Sequence, residues 1–481
     1  MNDRRVVDIK RSRRTAGAAT GCAILVSVFT VLALSAAAAS GDTIRVPDDQ
    51  PTIQAGISKA APGDTVLVTR GGPYASIALG GKSITVSSTH LAASEADQRP
   101  VIQGGAGTRA VTIVNGGANR IVLAGFTIRG GDLASASNNG AAICPRWGGG
   151  ILCQGSSPRI ECNTITGNAA WRGGGIYCGD GASPIIQHNI ITGNHANSDI
   201  ISAPSAGGGI CCENESFPVI YDNQIVGNDA DWPAYEYADD AQGAGIYCGS
   251  ASSVSILGNL IEANRFHRAG RGYGGGICCQ GSLSADIRGN RIISNYAHIG
   301  GGVCCRDDAF VNIDNDTIVG NYSEQGGGVW FAYTPRYQPY PPNPARARVV
   351  VQNCIIAFSG KGVGLFLGCG VSQVVRYCDV YMNPGDMDDN SSLARTIIGV
   401  NGNIAADPLF VDRANGDLRL RSEYGRWDGR TWVLDTVTSP CVGAGAPYSR
   451  YGGPDPNGRP ANLGYDGNTD TASKPKADAR R

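Results

Sequence analysis

Charge and aromatic rings are scarce in this 481-residue chain: 17% of its residues are charged, 7% are aromatic, and the net charge is −1. The low charge leaves few of the charged stretches that favour long helices. A net charge near zero gives no electrostatic reason to bind nucleic acid, so we expect no such partner. The 16 cysteines contain no Cys-x-x-Cys spacing, which argues against a tetrahedral metal site.

A long hydrophobic run is also missing. The only strongly apolar stretch near the N-terminus, Cys22 to Leu34, is short for a membrane span, follows a basic segment and precedes the alanines 36–39. This pattern predicts a secretory signal peptide over residues 1–40, with an uncleaved anchor as the alternative. After its removal we expect a monomer without a membrane span, secreted or on the cell surface, with the periplasm as a further location.

Glycine, asparagine and isoleucine dominate what is present, in a repeat that alternates a GGG-I-x-C unit with an I-x-x-N-x-I-x-x-N unit. The first unit begins at Gly148, Gly173, Gly207, Gly243, Gly274, Gly300 and Gly326. The second unit places its first asparagine at Asn163, Asn189, Asn223, Asn259 and Asn290, with Asp316 substituting once, and its last at Asn168, Asn194, Asn228, Asn264, Asn295 and Asn321. Fixed columns at this spacing indicate a solenoid.

Each repeat holds three short β-branched runs, which predicts an all-β parallel β-helix with three strands per coil. Equivalent residues of successive coils then lie about 4.8 Å apart, and the isoleucines form interior columns. We expect the asparagines that begin with Asn163 to occupy a tight bend in left-handed geometry, with their amides hydrogen-bonded along the stack. The glycine triplets would let the chain enter the first strand sharply.

The cysteines of the repeat follow the same logic. They share side-chain parity with the interior isoleucines, so they should form a buried column, acting as small hydrophobes or as bridged neighbours: Cys153, Cys178, Cys212, Cys248, Cys279 and Cys305. Cys278 and Cys304 should face outward on adjacent coils, within disulfide range. The sequence leaves two alternatives for this pair, a disulfide bridge or two free thiols.

Several segments outside the repeats carry a family resemblance. They include residues 46–54 (VPDDQPTIQ), 63–68 (GDTVLV), 80–86 (GGKSITV), 123–128 (LAGFTI) and 403–412 (NIAADPLFVD). This succession closely resembles the secreted bacterial right-handed parallel β-helix proteins of the pectin-lyase-like superfamily, and the resemblance covers nearly the whole mature chain. The resemblance implies a right-handed coil. It says little about activity, because the superfamily includes lyases, hydrolases, epimerases and members without assigned chemistry.

The expected organisation has four parts. Residues 1–40 form the signal peptide, 41–100 an N-terminal cap and first coils, 101–358 the core repeats, and 359–481 further coils and an irregular tail that closes the C-terminal end. Thr52 to Ala61 is predicted to be a short helix, with Ile53 and Ile57 on one face, that caps the open end of the stack.

A site is expected over the first sheet, taking the GGG-I-x-C strand as first, as the resemblance implies. Three successive long connections, 195–206, 229–242 and 265–273, leave the same edge, and insertions on one face of a solenoid commonly mark its binding face. The candidate substrate-binding residues are the outward-facing Tyr177, Tyr247 and Trp330 and the loop residues Trp232, Tyr235, Tyr237 and Arg271. Aromatic rings suit the apolar faces of sugars, although these rings could equally pack under their own loops.

The same loops carry the candidate catalytic residues Asp231, Asp239, Asp240, His267 and Arg268. In a uronate lyase, Asp239 and Asp240 could bind Ca²⁺ while His267 or Arg268 acts on the substrate. In a hydrolase, Asp231 and Asp239 could be the two facing carboxylates. The outward column lacks the acids that bind Ca²⁺ in pectate-lyase-like enzymes, and the polygalacturonase-like Gly-His-Gly and Arg-Ile-Lys motifs are absent, which weakens an enzymatic interpretation.

Two functions therefore remain. The first is a secreted or cell-surface protein that binds, and in one version cleaves, an extended polysaccharide or cell-surface glycan in a groove over the first sheet, as a lyase or a hydrolase. The second is a non-catalytic structural or adhesive rod of the cell envelope.

Overall fold

The predicted right-handed parallel β-helix is confirmed. A computed structural model describes residues 41–117, 120–134, 146–198, 204–231, 241–249, 251–267, 272–281, 283–332, 348–368, 372–383, 394–447, 461–467 and 469–476. The predicted signal peptide lies outside these residues. Each full coil contributes one strand in turn to a first, a second and a third parallel sheet, and the described residues give these sheets 10, 12 and 11 strands.

The strands of the three sheets are short and in register. The first sheet contains Ile77–Leu79, Val111–Gly117, Ile151–Ser156, Ile176–Gly179, Ile210–Cys212, Ile246–Cys248, Ile277–Gln280, Val303–Arg306, Val329–Ala332 and Leu365–Leu367. The second contains Thr43–Val46, Thr65–Val68, Thr85–Ser88, Val122–Ala124, Arg159–Glu161, Ile185–Gln187, Val219–Tyr221, Ser253–Leu257, Ser284–Arg288, Phe310–Asp314, Arg348–Gln352 and Ser372–Arg376. The third contains Tyr74–Ala75, Val101–Gln103, Thr127–Arg129, Thr164–Thr166, Ile190–Thr192, Gln224–Val226, Leu260–Glu262, Arg291–Ile293, Thr317–Val319, Ile355–Ala357 and Asp379–Tyr381.

Smaller elements complete the chain. Parallel pairing joins Ala169–Ala170, His195–Asn197 and Asp229–Asp231 into one short sheet and Ala241–Gln242 with Gly272–Tyr273 into another. Antiparallel pairs join Phe410–Asp412 with Asp417–Leu420 and Arg426–Trp427 with Trp432–Val433. Among the described residues, the helical elements are α-helices at Ile53–Lys59 and Ala394–Ile397 and 3₁₀ turns at Ala93–Gln98 and Arg413–Asn415.

The N-terminal helix confirms the predicted cap. The Thr52 side chain accepts a hydrogen bond from the Ala55 amide at 3.1 Å, satisfying a free N–H of the first turn. Ile53 and Ile57 are buried against the first coils, so the helix closes the open end of the core.

The interior consists of aligned apolar columns. Ile160 pairs in register with Ile186, and Ile186 with Ile220, and all three are fully buried. The repeat cysteines form the expected interior column, and each has no exposed surface. Every cysteine within the described residues is a free thiol, including Cys278 and Cys304. The structure therefore contains adjacent outward thiols in place of the bridge considered above.

Two asparagine ladders connect the coils. Asn223 is typical: its Oδ1 accepts from the Asn189 backbone N–H and Nδ2, each at 3.0 Å. Its own Nδ2 donates to the Ile186 carbonyl at 2.8 Å and to Asn259 Oδ1 at 3.0 Å. The amide thus satisfies backbone groups that the bend would otherwise leave buried and unpaired.

Left-handed geometry falls one residue earlier than predicted. The residue before each first asparagine has positive φ: 55° at Cys162, 54° at His188, 52° at Asp222 and 55° at Asn315, with Gly258 and Gly289 in the same role. The preceding residue therefore makes the turn, and the asparagine side chain points inward and lies along the stack. The glycine triplets behave as predicted: Gly173 has a φ of 63°, and a Cβ on Gly174 would lie 2.4 Å from the His195 carbonyl oxygen.

The C-terminal segment does not simply close the end of the stack. Cys441 and Leu463 pack against Val319 and Ile355 on the outer face of the third sheet. Asn315 Nδ2 donates to the carbonyl of Asn462 at 3.2 Å. In the described part of the chain, no helix reaches the length and hydrophobicity that a membrane span requires.

One rung of the first ladder is an acid. Asp316 Oδ1 accepts from the Asn290 N–H at 2.7 Å and from its Nδ2 at 2.9 Å. Burial raises the pKa of Asp316 to about 8. Oδ2 is buried and has no donor beside it. When protonated, Oδ2 becomes a hydrogen-bond donor, as the Nδ2 of the asparagine rungs is.

Replacing a central rung should destabilise the coil stack. Asn223→Ala leaves the buried Asn189 N–H without its acceptor and removes one donor from the Ile186 carbonyl, so we expect the free energy of unfolding to fall by about 2 to 5 kcal/mol. Urea denaturation measures the change. Gln224→Ala, at the exposed neighbouring position, is the matched control, and equal midpoints for the two variants would contradict the role of the ladder.

Asp316 should make stability pH-dependent. Its folded pKa is raised, so the folded state keeps a proton that the unfolded state loses, and stability falls as pH rises from near the ordinary 3.8 to about 8. The slope is at most about 1.4 kcal/mol per pH unit. Asp316→Asn should remove this loss and be the more stable protein at pH 8, as measured by urea midpoints from pH 4 to 8. Parallel pH profiles for both proteins would contradict it.

Candidate functional site

A stripe of aligned side chains runs along the edge that follows the third sheet. Its members, one per coil, are His195, Asp229, Arg265, Tyr296, Tyr322 and Lys361, and backbone pairing holds each beside the next. We call these six residues the edge stripe. At about 4.8 Å per coil they extend over roughly 24 Å parallel to the coil axis.

The edge stripe arises from strand alternation after the second asparagine ladder. Ala196 and Ala230 have no exposed surface and pack in a small apolar cluster with Phe266 and Ala297. Because side chains alternate along a strand, His195 and Asp229 point to the opposite side. The start of these connections is therefore an ordered short sheet, which the length of the connections did not predict.

An acid and imidazole group lies at the N-terminal half of the stripe. His267 Nε2 lies 2.8 Å from Asp229 Oδ1, and the His267 backbone N–H donates to Asp231 Oδ1 at 2.8 Å. Arg265 Nε lies 3.8 Å from the same Asp229 oxygen. Burial raises the pKa of Asp229, while His267, His195 and Arg265 oppose that rise.

The imidazole of His267 accepts a hydrogen bond from its neighbouring arginine. Its Nε2 also lies 3.2 Å from Arg265 Nε. Nε2 accepts from Arg265 Nε, and the Asp229 Oδ1 beside it is buried and accepts no hydrogen bond in this arrangement. An imidazole beside a carboxylate is a combination that general acid and base catalysis uses.

Two exposed tyrosines continue the stripe. Tyr296 and Tyr322 are 43% and 38% exposed, and their rings stack with centroids 5.3 Å apart and planes 25° apart. Beside them, Glu324 contacts His298 Nδ1 at 3.4 Å and Lys361 at 3.6 Å. The C-terminal half of the stripe is therefore an aromatic platform with polar groups at its margin.

The structure brings together two of the predicted catalytic residues, Asp231 and His267, and adds Asp229, Arg265 and the tyrosine pair. The remaining predicted residues lie outside the described part of the chain: Asp239, Asp240 and Arg268, and the loop residues Trp232, Tyr235, Tyr237 and Arg271. The suggested Ca²⁺ site at Asp239 and Asp240 belongs to this set. Among described residues, no group of three or more His, Cys, Asp or Glu side chains could hold a metal ion.

The expected open floor over the first sheet is wrong. Tyr177 has no exposed surface, and Tyr247 and Trp330 are 6% and 3% exposed. Side chains from the connections cover this face: the Trp147 ring stacks on Tyr177 at 4.8 Å, and Tyr273 packs on Trp330 at 6.2 Å. The column is a second apolar core. Tyr177 and Trp330 therefore pack under side chains of the connections, which was the second alternative for these rings.

A buried ion pair lies in this outer core. Arg172 contacts Glu213, with side chains 17% and 11% exposed, and the Arg172 guanidinium lies 5.8 Å from the Tyr247 ring. Burial opposes the charge of Arg172, but the adjacent Glu213 carboxylate raises the pKa of the guanidinium. Nothing in the repeat indicates this pair, because Arg172 precedes the triplet of one coil and Glu213 follows the strand of the next.

The sequence does contain a pattern that marks Tyr296, Tyr322 and Asp229 as one column. Each member of the stripe from His195 to Tyr322 follows the closing asparagine of its coil directly. The column of stripe residues is visible when the repeats are aligned one residue past the closing asparagine. The lengths of the connections do not show it.

Comparisons with known proteins agree with this architecture. A family model for the right-handed β-helix region matches residues 113–336, and one described as disaggregatase related matches residues 287–445. A search of curated proteins found no match. The chain is a right-handed β-helix repeat protein.

The buried floor can be tested against the exposed platform. Tyr247→Ala should leave a cavity in the outer core and lower the free energy of unfolding by about 3 to 5 kcal/mol. Tyr322→Ala, which truncates an exposed ring, should change it by about 1 kcal/mol or less. Urea denaturation of the two variants provides the comparison, and equal losses would contradict the assignment of core and surface.

Proposed function

We propose that this β-helix protein binds an extended polysaccharide along the edge stripe, outside the cytoplasm, as a secreted or cell-surface protein. The observation that carries the proposal is the stacked, exposed Tyr296 and Tyr322 pair, aligned with the Asp229 and His267 group. Aromatic faces bind the apolar faces of sugar rings, and the neighbouring polar groups can bind hydroxyls. An extended chain fits a stripe that presents one residue per coil.

Cleavage of the bound chain is the second part of the proposal. His267 provides an imidazole, and Asp229 and Asp231 provide carboxylates that contact its ring and its backbone N–H. Both lyase and hydrolase chemistry require a proton-transfer group beside the sugar. The resemblance to the pectin-lyase-like superfamily supports this part, and the disaggregatase-related match covers the coils that carry Tyr296, Tyr322 and Lys361.

The double variant Tyr296→Ala, Tyr322→Ala should lose about tenfold or more in glycan retention, because each aromatic contact contributes about 0.5 to 1.5 kcal/mol. The measurement is retention of the mature protein on insoluble neutral and uronate polysaccharides, with and without Ca²⁺. Tyr424→Ala removes a tyrosine of similar exposure, 39%, away from the stripe and is the matched control. Unchanged retention by the double variant would overturn the stripe as the binding site.

The same incubations test cleavage. Unsaturated products indicate a lyase, and shortened chains without unsaturation indicate a hydrolase; either should vanish in Asp229→Asn and His267→Gln while retention persists. Retention without products would leave a glycan-binding protein. Neither retention nor products would favour the structural or adhesive rod of the cell envelope.

A further inference from the structure

A second concave surface lies on the outer face of the second sheet, away from the edge stripe. It has a volume of about 200 Å³ and is formed by Phe310, Asn312, Arg348, Gln352 and Arg376 with two valines. We call it the second-sheet groove. Sites for drug-sized ligands have volumes of about 300 to 1,000 Å³, so this groove suits one ring of sugar size.

Strand register builds the groove from three successive coils. Phe310 pairs with Arg348, and Gln352 pairs with Arg376. The alternate residues Val311, Val349 and their neighbours are buried in the core, so the groove residues face outward. Regular strands hold them, which makes the arrangement rigid.

Arg376 is held by a buried relay. Its Nε and Nη2 donate to Gln352 Oε1 at 3.0 and 2.8 Å. Gln352, 3% exposed, donates from Nε2 to Asp314 Oδ2 at 2.8 Å, and Asp314 is 2% exposed. Because Gln352 uses both its amide atoms in this relay, it orients Arg376 and leaves the remaining guanidinium N–H groups for a ligand.

The groove carries positive charge. Within the described residues, neither Arg348 nor Arg376 forms an ion pair. Asp286, on the strand that pairs with the strand of Phe310, is already paired with Arg288 on its own strand. Asp286 also accepts from Asn312 Nδ2 at 2.9 Å, which leaves the Asn312 Oδ1 to accept a hydroxyl group. Two guanidinium groups without acidic partners favour an anionic ligand, and a carboxylate matches their geometry.

The groove also has an apolar face. The Phe310 ring is 45% exposed, and the Arg348 guanidinium lies 6.0 Å from its centre. Large exposed rings beside unpaired cations are typical of sites that bind a ligand with both an apolar face and a charge.

We propose that the second-sheet groove binds the carboxylate-bearing sugar unit of an acidic glycan. Arg348 and Arg376 bind the carboxylate, Asn312 accepts a hydroxyl, and Phe310 packs on the apolar face of the ring. The groove shares no residue with the edge stripe, so this inference stands whether or not the stripe binds glycan.

The test is binding of free galacturonate to the mature protein at low salt, by calorimetry or ligand-observed NMR, with galactose and acetate as comparison ligands. Galacturonate should bind at least tenfold more tightly than either. Arg376→Gln and Phe310→Ala should each weaken galacturonate binding at least tenfold. Phe310 is exposed, so its variant tests the groove even if Arg376→Gln disturbs the buried relay.

Two controls separate this groove from other surfaces. Arg159→Gln removes an exposed arginine on the outer face of the same sheet, five coils or more away, and should leave binding unchanged. The Tyr296→Ala, Tyr322→Ala variant should bind galacturonate normally. Equal affinity for acetate would show a plain anion site and overturn the sugar assignment, and unchanged binding in Phe310→Ala and Arg376→Gln would overturn the groove itself.

Discussion

The pairing of each coil with the next is the constraint on which the rest of the structure depends. Parallel strands in register repeat every residue of one coil about 4.8 Å away in the next, so any side chain becomes part of a column. The bends between strands would break this pairing if their buried N–H groups had no acceptor. The asparagine Oδ1 atoms supply that acceptor, and the same amides donate back to the preceding coil. The ladders thus continue the hydrogen bonding through the corners.

The ladder also shows how far a column tolerates change. After five asparagines the first ladder continues with Asp316, then with Cys354 and Cys378, whose thiols lie 3.7 and 3.6 Å from the carbonyls of the preceding coil. It returns to an amide at Asn403, which accepts from the Cys378 N–H at 3.0 Å. A thiol is a weaker hydrogen-bond donor than an amide, so the hydrogen bonds at these bends are weaker. In the same region the C-terminal segment packs on the third sheet, which adds apolar burial where the ladder weakens.

The repeat predicted the fold because periodicity reports what recurs in every coil: the isoleucine columns, the cysteine column, the glycine turns and the ladders. It located the left-handed residue one position late, because asparagine satisfies both turn preference and amide pairing, and spacing alone does not separate the two. It failed over the first sheet for a different reason. Parity gives the side of the sheet to which Tyr177 and Trp330 point, but not that Trp147 and Tyr273 from the connections cover that side. Of the candidate site, the sequence pointed to Asp231 and His267, which are in contact, but not to the exposed tyrosine pair.

Burial of the first sheet's outer face restricts where a ligand can bind. That face is a second apolar core, and the later coils of the third sheet lie under the C-terminal segment. Among the described residues, the edge stripe and the outer face of the second sheet keep large side chains exposed, and the chemistry of these two surfaces differs. The stripe combines stacked tyrosines with a carboxylate and an imidazole, which suits ring stacking and proton transfer. The second-sheet groove combines unpaired guanidinium groups with one exposed ring, which suits an acidic sugar. The stripe lies at the edge that follows the third sheet and the groove lies on the second sheet, so the two surfaces occupy different sides of the same coils.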